Sequence, residues 1–167
     1  MNEFNRRSVL LAPTGRAAKV FSGYAGQPAY TIHKKIYRQQ KFSEGIGKFS
    51  PAENLHRQTL FIVDEASMIS DNASDFSLFG SGRLLNDLIE FVYAGEGCRL
   101  MLLGDTAQLP PVKEEESPAL NKRVLQSYGL EVTETTLTEI ARQEKESGIL
   151  YNATLLRDAL KTGKTYD

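Results

Sequence analysis

Two adjacent carboxylates, Asp64 and Glu65, directly follow the apolar residues 60–63. An apolar run of this kind is typical of a buried parallel strand, and such strands end at ligand crevices. One carboxylate can hold Mg²⁺ while its neighbour orients or deprotonates a water that attacks a nucleotide phosphate. The pair therefore predicts metal-assisted phosphate chemistry. The structural alternative is a helix with an acidic first turn, because carboxylates favour helix N-termini.

A second apolar run, residues 99–103, also opens into a polar loop. Gly104 permits a tight turn at the strand end, and the two prolines at 110–111 prevent a helix from forming directly after the loop. Asp105 and Gln108 stand just beyond the strand, and the amide of Gln108 can both donate and accept, as a sensor of phosphate or water must. An ordinary Gly/Asp/Pro turn explains the turn residues but not this Asp and Gln.

Phe61–Met68 and Leu102–Val112 resemble motifs II and III of superfamily 1 DNA helicases. Val9–Ala18 is similar to motif Ia, and Leu137–Gln143 is similar to motif IV. The four segments follow the family's chain order, and the likeness is nearest to the RecD-like class (exodeoxyribonuclease V alpha subunit-like). The resemblance covers nearly the whole chain and implies a P-loop NTPase, RecA-like α/β fold.

The resemblance implies ATP and Mg²⁺ as cofactors of the intact protein. Asp64 would hold the metal and Glu65 would activate the water. Gln108 would sense the γ-phosphate, and Arg142 would stabilise charge that develops on the transferred phosphoryl group. Asp105 completes the set of predicted nucleotide contacts, and Glu65, Gln108 and Arg142 are the predicted catalytic residues.

Single-stranded DNA is the implied partner, and it would be held near two predicted helix starts. Arg16 and Lys19 follow the first strand, where a helix N-terminus can bind phosphate, although charge alone favours a solvent-facing basic helix. His33 is equally well explained as a buried histidine. The predicted DNA contacts are Pro13, Thr14, Arg16, Lys19, Thr31 and His33.

Alternating strand and helix patterns predict a parallel sheet with flanking helices. Strands are expected near 8–12, 59–63, 99–103 and 130–136, and helices near 15–22, 31–38, 82–94, 118–127 and 147–161. Residues 39–58 are longer than a crossover requires and suit a surface hairpin or flap with no assigned role. The acidic run 114–116 is interpreted as a solvated loop.

No Gly-x-x-x-x-Gly-Lys-Ser/Thr loop precedes Val9. Gly163-Lys164-Thr165 is not a substitute, because Asp158 occupies the position of the first glycine. Residues 1–167 are therefore interpreted as a partial first motor domain, from motif Ia to motif IV, without Walker A, its strand or the second RecA-like domain. We expect the isolated chain to bind ATP–Mg²⁺ weakly, to be inactive and to self-associate. Without the P-loop strand, its two neighbours in the sheet are left with unpaired edges. We expect strand 99–103 to pair with 130–136, or the latter strand and its helix to detach or swap into a second copy. A third, less favoured outcome is that residues 1–7 partly fill the gap.

The primary hypothesis is a fragment of an ATP-dependent DNA helicase that translocates 5′ to 3′ in DNA repair and recombination. Subunits of a nuclease complex are further candidate partners. The alternative is a non-catalytic nucleic-acid- or partner-binding domain with a degenerate helicase fold; a P-loop kinase or GTPase is disfavoured by the Gln108 loop. A net charge of −1 gives no global basic signature. The single cysteine, Cys98, and the lack of a membrane-length apolar run favour the cytoplasm.

Overall fold

The computed structural model describes residues 7–39, 49–73 and 78–137. It divides the chain into a unit that ends at Glu131 and a second unit that begins at Val132. The first unit contains every element described below. The predicted helix at 147–161 and the motif IV residues from 138 onward, including Arg142, lie outside the described residues.

A four-stranded parallel sheet with the order β2-β1-β5-β6 is the centre of the first unit. Its strands are β1 (Arg7–Ala12), β2 (Ala29–Thr31), β5 (Thr59–Val63) and β6 (Arg99–Leu102). The helices are α1 (Gly15–Ala25), α2 (Ile32–Ile36), α3 (Leu84–Ala94) and α4 (Lys122–Ser127), and 3-10 turns cover Ala66–Met68 and Pro118–Leu120. The predicted α/β class is confirmed.

The hydrophobic core lies between one face of the sheet and the helices α2 and α3. Leu11 of β1 and Phe61 of β5 are completely buried there, as is Ile32 of α2. Both strands present residues of odd number to this face, as the two-residue period of a strand requires. Burial of each such side chain contributes roughly 1.5–3 kcal/mol to folding.

An antiparallel pair, β3 (Tyr37–Gln39) and β4 (Phe49–Pro51), follows α2. Its second strand lies within 39–58, where a surface hairpin or flap was expected. Its first strand begins earlier, at Tyr37, because the helix expected at 31–38 ends at Ile36. Tyr37 anchors it, because its hydroxyl donates a 2.6 Å hydrogen bond to Oδ2 of Asp87 in the first turn of α3. Asp87 is buried and also accepts hydrogen bonds from Ser81 N at 3.0 Å and Ser81 Oγ at 2.6 Å.

The predicted strand at 130–136 is wrong: none of these residues is in a strand, and no described strand pairs with them. The proposed pairing of 99–103 with 130–136 is therefore wrong too. A strand exists only where a neighbour accepts its backbone hydrogen bonds, and the Thr-rich segment has no such neighbour among the described residues. Conversely β2 was not predicted, because it is too short to show a period of its own.

Candidate nucleotide and nucleic-acid site

Asp64 lies at the carboxyl end of β5, in the middle of the sheet. Its backbone N–H donates to the carbonyl of Leu11 at 3.0 Å, so the pairing with β1 continues to this residue. Its Oδ1 accepts from the N–H of Glu65 at 3.0 Å, which orders the carboxylate. The strand end therefore presents a half-buried, oriented carboxylate.

Glu65 adopts a left-handed backbone conformation, with φ of 54° and ψ of 38°. This conformation costs a non-glycine residue roughly 1–2 kcal/mol. The chain turns sharply there into the 3-10 turn that begins at Ala66, whose N–H donates to the carbonyl of Leu103 at 2.8 Å. Strain of this kind concentrates at functional sites, and nothing in the sequence signals it.

Gly104 brings the loop after β6 against the turn after β5. A Cβ at this position would lie 3.0 Å from the backbone nitrogen of Ser67 and 2.8 Å from Cδ1 of Leu120. A Cβ contact of 3.0 Å with a backbone atom is tighter than almost all such contacts in proteins, so the backbone at Ser67 would have to shift. Glycine at 104 therefore allows the two predicted motifs to come together at one edge of the sheet.

The loop beyond Gly104 is folded by its own polar groups. Oδ1 of Asp105 accepts from the N–H of Ala107 at 3.0 Å, and the Asp105 carbonyl accepts from the N–H of Gln108 at 3.1 Å. The exposed Gln108 lines a cleft of about 220 Å³, together with Thr106, Pro110, Glu115, Glu116, Ser117, Leu120 and Asn121. The amide is thus displayed at the carboxyl edge of the sheet.

Glu114 corrects the interpretation of 114–116 as a purely solvated run. Its Oε1 accepts from Ser70 Oγ at 2.6 Å and from Asp71 N at 2.9 Å. The carboxylate therefore fastens the loop that follows β6 to the segment that follows the Glu65 turn. Glu115 and Glu116 are exposed, as the solvated loop requires.

Neither Asp64 nor Glu65 forms an ion pair within the part of the chain that the structure describes. The described ranges also contain no group of three or more His, Cys, Asp or Glu that could hold a metal ion by itself. A pair of uncompensated carboxylates nevertheless fits Mg²⁺, which is bound through one or two carboxylates plus substrate phosphates rather than an all-protein cage.

The predicted nucleic-acid contacts cluster where α1 and α2 begin. Thr14 caps α1 by accepting from Ala17 N at 3.2 Å, and Thr31 caps α2 by accepting from Lys34 N at 3.2 Å. Because Ala12 and Thr31 are partners in the pairing of β1 with β2, both helix starts lie at the same sheet edge. Arg16 and Lys19 are exposed on α1, and Pro13 is half-buried beside the cap.

His33 is half-buried among aromatic side chains. Its ring centroid lies 4.9 Å from Phe79 in an edge-to-face arrangement and 5.7 Å from Tyr37. Burial lowers the pKa of His33 below its usual value, so the ring is neutral at pH 7. These contacts favour the packing role for His33 over a charged contact with phosphate.

All four strands end at the edge that carries these residues. Thr31, Ala12, Val63 and Leu102 close β2, β1, β5 and β6 in that spatial order. Three strand spacings of about 4.8 Å separate the outer two, so the edge is roughly 14 Å wide. The structure thus brings the carboxylates, the Gln108 loop and the helix caps to one edge.

The described residues include no helix long and apolar enough to cross a membrane.

Comparison with known proteins agrees with this arrangement. A protein family described as "AAA domain" matches residues 1–165. The ATP-dependent RecD2 DNA helicase of Deinococcus radiodurans is 36% identical over 104 residues, which cover 62% of this chain but 12% of that protein. The chain therefore spans about an eighth of the length of this relative. Together, the family match and the RecD-type motifs at the sheet edge show that the chain belongs to the AAA domain family and is RecD-like in its helicase motifs.

Proposed function

We propose that this chain is part of an ATP-dependent DNA helicase motor that moves 5′ to 3′ on single-stranded DNA in repair or recombination. The observation that carries the proposal is the common sheet edge. It holds the Asp64–Glu65 pair, the loop with Gln108 and the starts of α1 and α2. A motor needs nucleotide and nucleic-acid contacts on one rigid element, so that a change at one site reaches the other.

In this proposal each residue at the edge has a defined task. Bound Mg²⁺ would neutralise phosphate charge and orient the nucleotide. Asp64 would hold that ion, and its hydrogen bond from the N–H of Glu65 keeps the carboxylate oriented. Glu65 would orient or deprotonate the attacking water. Gln108 would contact the γ-phosphate, and Asp105 holds the Gln108 loop in its turn. Arg142, which lies outside the described residues, would stabilise the transferred phosphoryl group.

The nucleic-acid side of the proposal rests on α1. Arg16 and Lys19 are exposed near its N-terminus, and the exposed Thr14 begins it. Cations and helix N-termini are the groups that contact phosphate oxygens, and such contacts position a strand without reading its sequence. Binding at this face should therefore weaken steeply as the salt concentration rises.

The test compares Glu65→Gln with Glu90→Gln in the complete protein that contains this chain. Glu90 is an exposed residue of α3, so its variant is a matched control for loss of one carboxylate. Glu65→Gln should reduce DNA-stimulated ATP hydrolysis by at least about a hundredfold, because general-base contributions are typically that large. Nucleotide binding should be nearly unchanged.

Wild-type turnover in Glu65→Gln would show that motif II is assigned incorrectly. DNA binding by the wild-type protein without any DNA-stimulated hydrolysis would instead support the non-catalytic binding domain. In that case Arg16→Gln should weaken DNA binding, while Glu65→Gln should leave DNA binding unchanged. The direction of movement would be measured separately, on partial duplexes with either a 5′ or a 3′ single-stranded tail.

A further inference from the structure

A single carboxylate joins the loop that follows β6 to the segment that follows β5. Oε1 of Glu114 accepts hydrogen bonds from Ser70 Oγ at 2.6 Å and from Asp71 N at 2.9 Å. The same oxygen also accepts from Asn72 N at 3.3 Å. Hydrogen bonds to an ionised acceptor are shorter and stronger than those between neutral groups. We call Glu114 and residues 70–72 the Glu114 clasp.

The donor side of the Glu114 clasp is anchored to α3 and α4. The carbonyl of Ser70 accepts from Leu85 N, in the first turn of α3, at 3.1 Å. Oδ2 of Asp71 accepts from Arg83 Nη2, just before α3, at 2.7 Å. The same Oδ2 accepts from the hydroxyl of Tyr128, the residue that ends α4, at 2.8 Å. The donors of the clasp are therefore fixed to two helices.

The loop that carries Gln108 is consequently held at both of its ends. At the near end, Leu103 N donates to the carbonyl of Val63 at 2.8 Å, which continues the pairing of β6 with β5. At the far end, Glu114 binds the donor side of the clasp. Lys113, directly before Glu114, has a left-handed φ of +69°. A non-glycine residue keeps such a conformation only where its surroundings enforce it, and the clasp supplies that constraint.

The clasp also connects the Gln108 loop to the Asp64–Glu65 pair. A short segment, residues 66–69, separates Glu65 from Ser70. This segment is ordered, because Ile69 N donates to the carbonyl of Ala66 at 3.1 Å and both side chains are completely buried. The turn that places Glu65 therefore also places the hydroxyl to which Glu114 binds.

We infer that Glu114 is a positioning residue for ATP hydrolysis. It holds the far end of the Gln108 loop to the segment behind Glu65, and so sets where the Gln108 amide lies relative to the water that Glu65 orients. The inference rests on the proposed function, which gives Gln108 and Glu65 their tasks. Glu114 acts through Gln108 and not on the nucleotide. Such placement matters because a misplacement of about 1 Å can reduce a rate about a hundredfold.

The experiment measures DNA-stimulated ATP hydrolysis by the complete protein that contains this chain, for Glu114→Ala, Gln108→Ala and the double variant. Glu114→Gln is the conservative variant, because its amide oxygen can still accept from the same donors. Ser70→Ala removes the shortest bond from the other side of the clasp. The matched control is Glu53→Ala, which removes an exposed carboxylate on the segment before β5. Circular dichroism of each variant verifies that the fold is retained.

Glu114→Ala should lower kcat by about tenfold to a hundredfold and change the KM for ATP little, because the clasp places a group that acts in the transition state. Glu114→Gln should recover most of the lost rate, and Ser70→Ala should lower kcat by less than Glu114→Ala does. In the Gln108→Ala background, Glu114→Ala should cause little further loss, since residues that act as a unit are not additive. Glu53→Ala should leave kcat and KM unchanged.

Two results would overturn the inference and leave the proposed function intact. One is a wild-type kcat in folded Glu114→Ala. The other is a double variant in which the losses from Glu114→Ala and Gln108→Ala multiply, since Glu114 would then act independently of Gln108. If Glu114→Ala does not fold, Ser70→Ala takes its place in the same comparison. A wild-type protein without DNA-stimulated hydrolysis would instead overturn the proposed function, and the role of Glu114 with it.

Discussion

Substitution of Gly80 tests how the antiparallel pair β3/β4 is attached to the core through Tyr37 and Asp87. Its φ is +46°, and its N–H donates to the carbonyl of Phe49 at 2.9 Å. A Cβ at this position would overlap Oδ2 of Asp87 and would lie 2.6 Å from Cε1 of Tyr37. Any side chain at 80 must therefore displace the buried carboxylate from the Tyr37 hydroxyl.

The expected cost of Gly80→Ala has two parts. The left-handed conformation costs alanine about 1 kcal/mol or slightly more. Displacing Asp87 loses a buried hydrogen bond from Tyr37 to a charged acceptor, and such bonds contribute roughly 1.5–3 kcal/mol. The sum, about 2.5–4 kcal/mol, is a large part of the stability of an ordinary domain.

Gly26→Ala is the matched control, because Gly26 has a φ of +65° with nothing within 4 Å of a built Cβ. It should lose about 1 kcal/mol, the conformational part alone. Urea unfolding followed by circular dichroism gives both values, provided that the m-value is unchanged. In a Tyr37→Phe background, Gly80→Ala should cost less than in the wild type, since the hydrogen bond is already gone. Equal losses for the two glycine variants in the wild-type background would refute the reasoning.

Three further predictions concern individual side-chain and backbone contacts. Asn54→Ala should lower the free energy of unfolding by about 2 kcal/mol, because its side chain satisfies carbonyls at the end of α3; urea titration measures this. Burial and the hydrogen bond to Asp71 raise the pKa of Tyr128 to about 12, so its contribution to stability is complete below pH 10 and is lost as the pH rises from 10 towards 12. The difference in stability between wild type and Tyr128→Phe should therefore shrink over that range, and a constant difference would contradict the assignment. Gly104→Ala should lower the unfolding free energy by roughly 1–3 kcal/mol, measured by thermal unfolding, because the Ser67 backbone cannot move away as readily as the end of Leu120 can.

Local patterns in the sequence were sufficient for much of the sheet. The apolar runs of β1, β5 and β6 were predicted to within a residue or so, because central parallel strands need a continuous apolar segment. The edge strand β6 keeps such a run although Met101 on its outer face is exposed. Thr14 marked the start of α1 through its capping hydroxyl. Asp64 and Gln108 were selected as candidate site residues because packing and turn formation do not explain a carboxylate and an amide directly beyond apolar strands. Their roles, and that of Arg142, remain predictions.

Other features depended on contacts between distant parts of the chain. β2 exists because β1 offers it an edge, and the strand predicted at 130–136 has no described partner. The left-handed Glu65 is stabilised by the hydrogen bond from the next residue to Leu103, and the pairing of Tyr37 with Asp87 joins residues fifty positions apart. Sequence patterns report a residue's own propensity and its near neighbours. Hydrogen-bond partners, buried charge and close backbone approach are decided only when the tertiary fold brings the segments together.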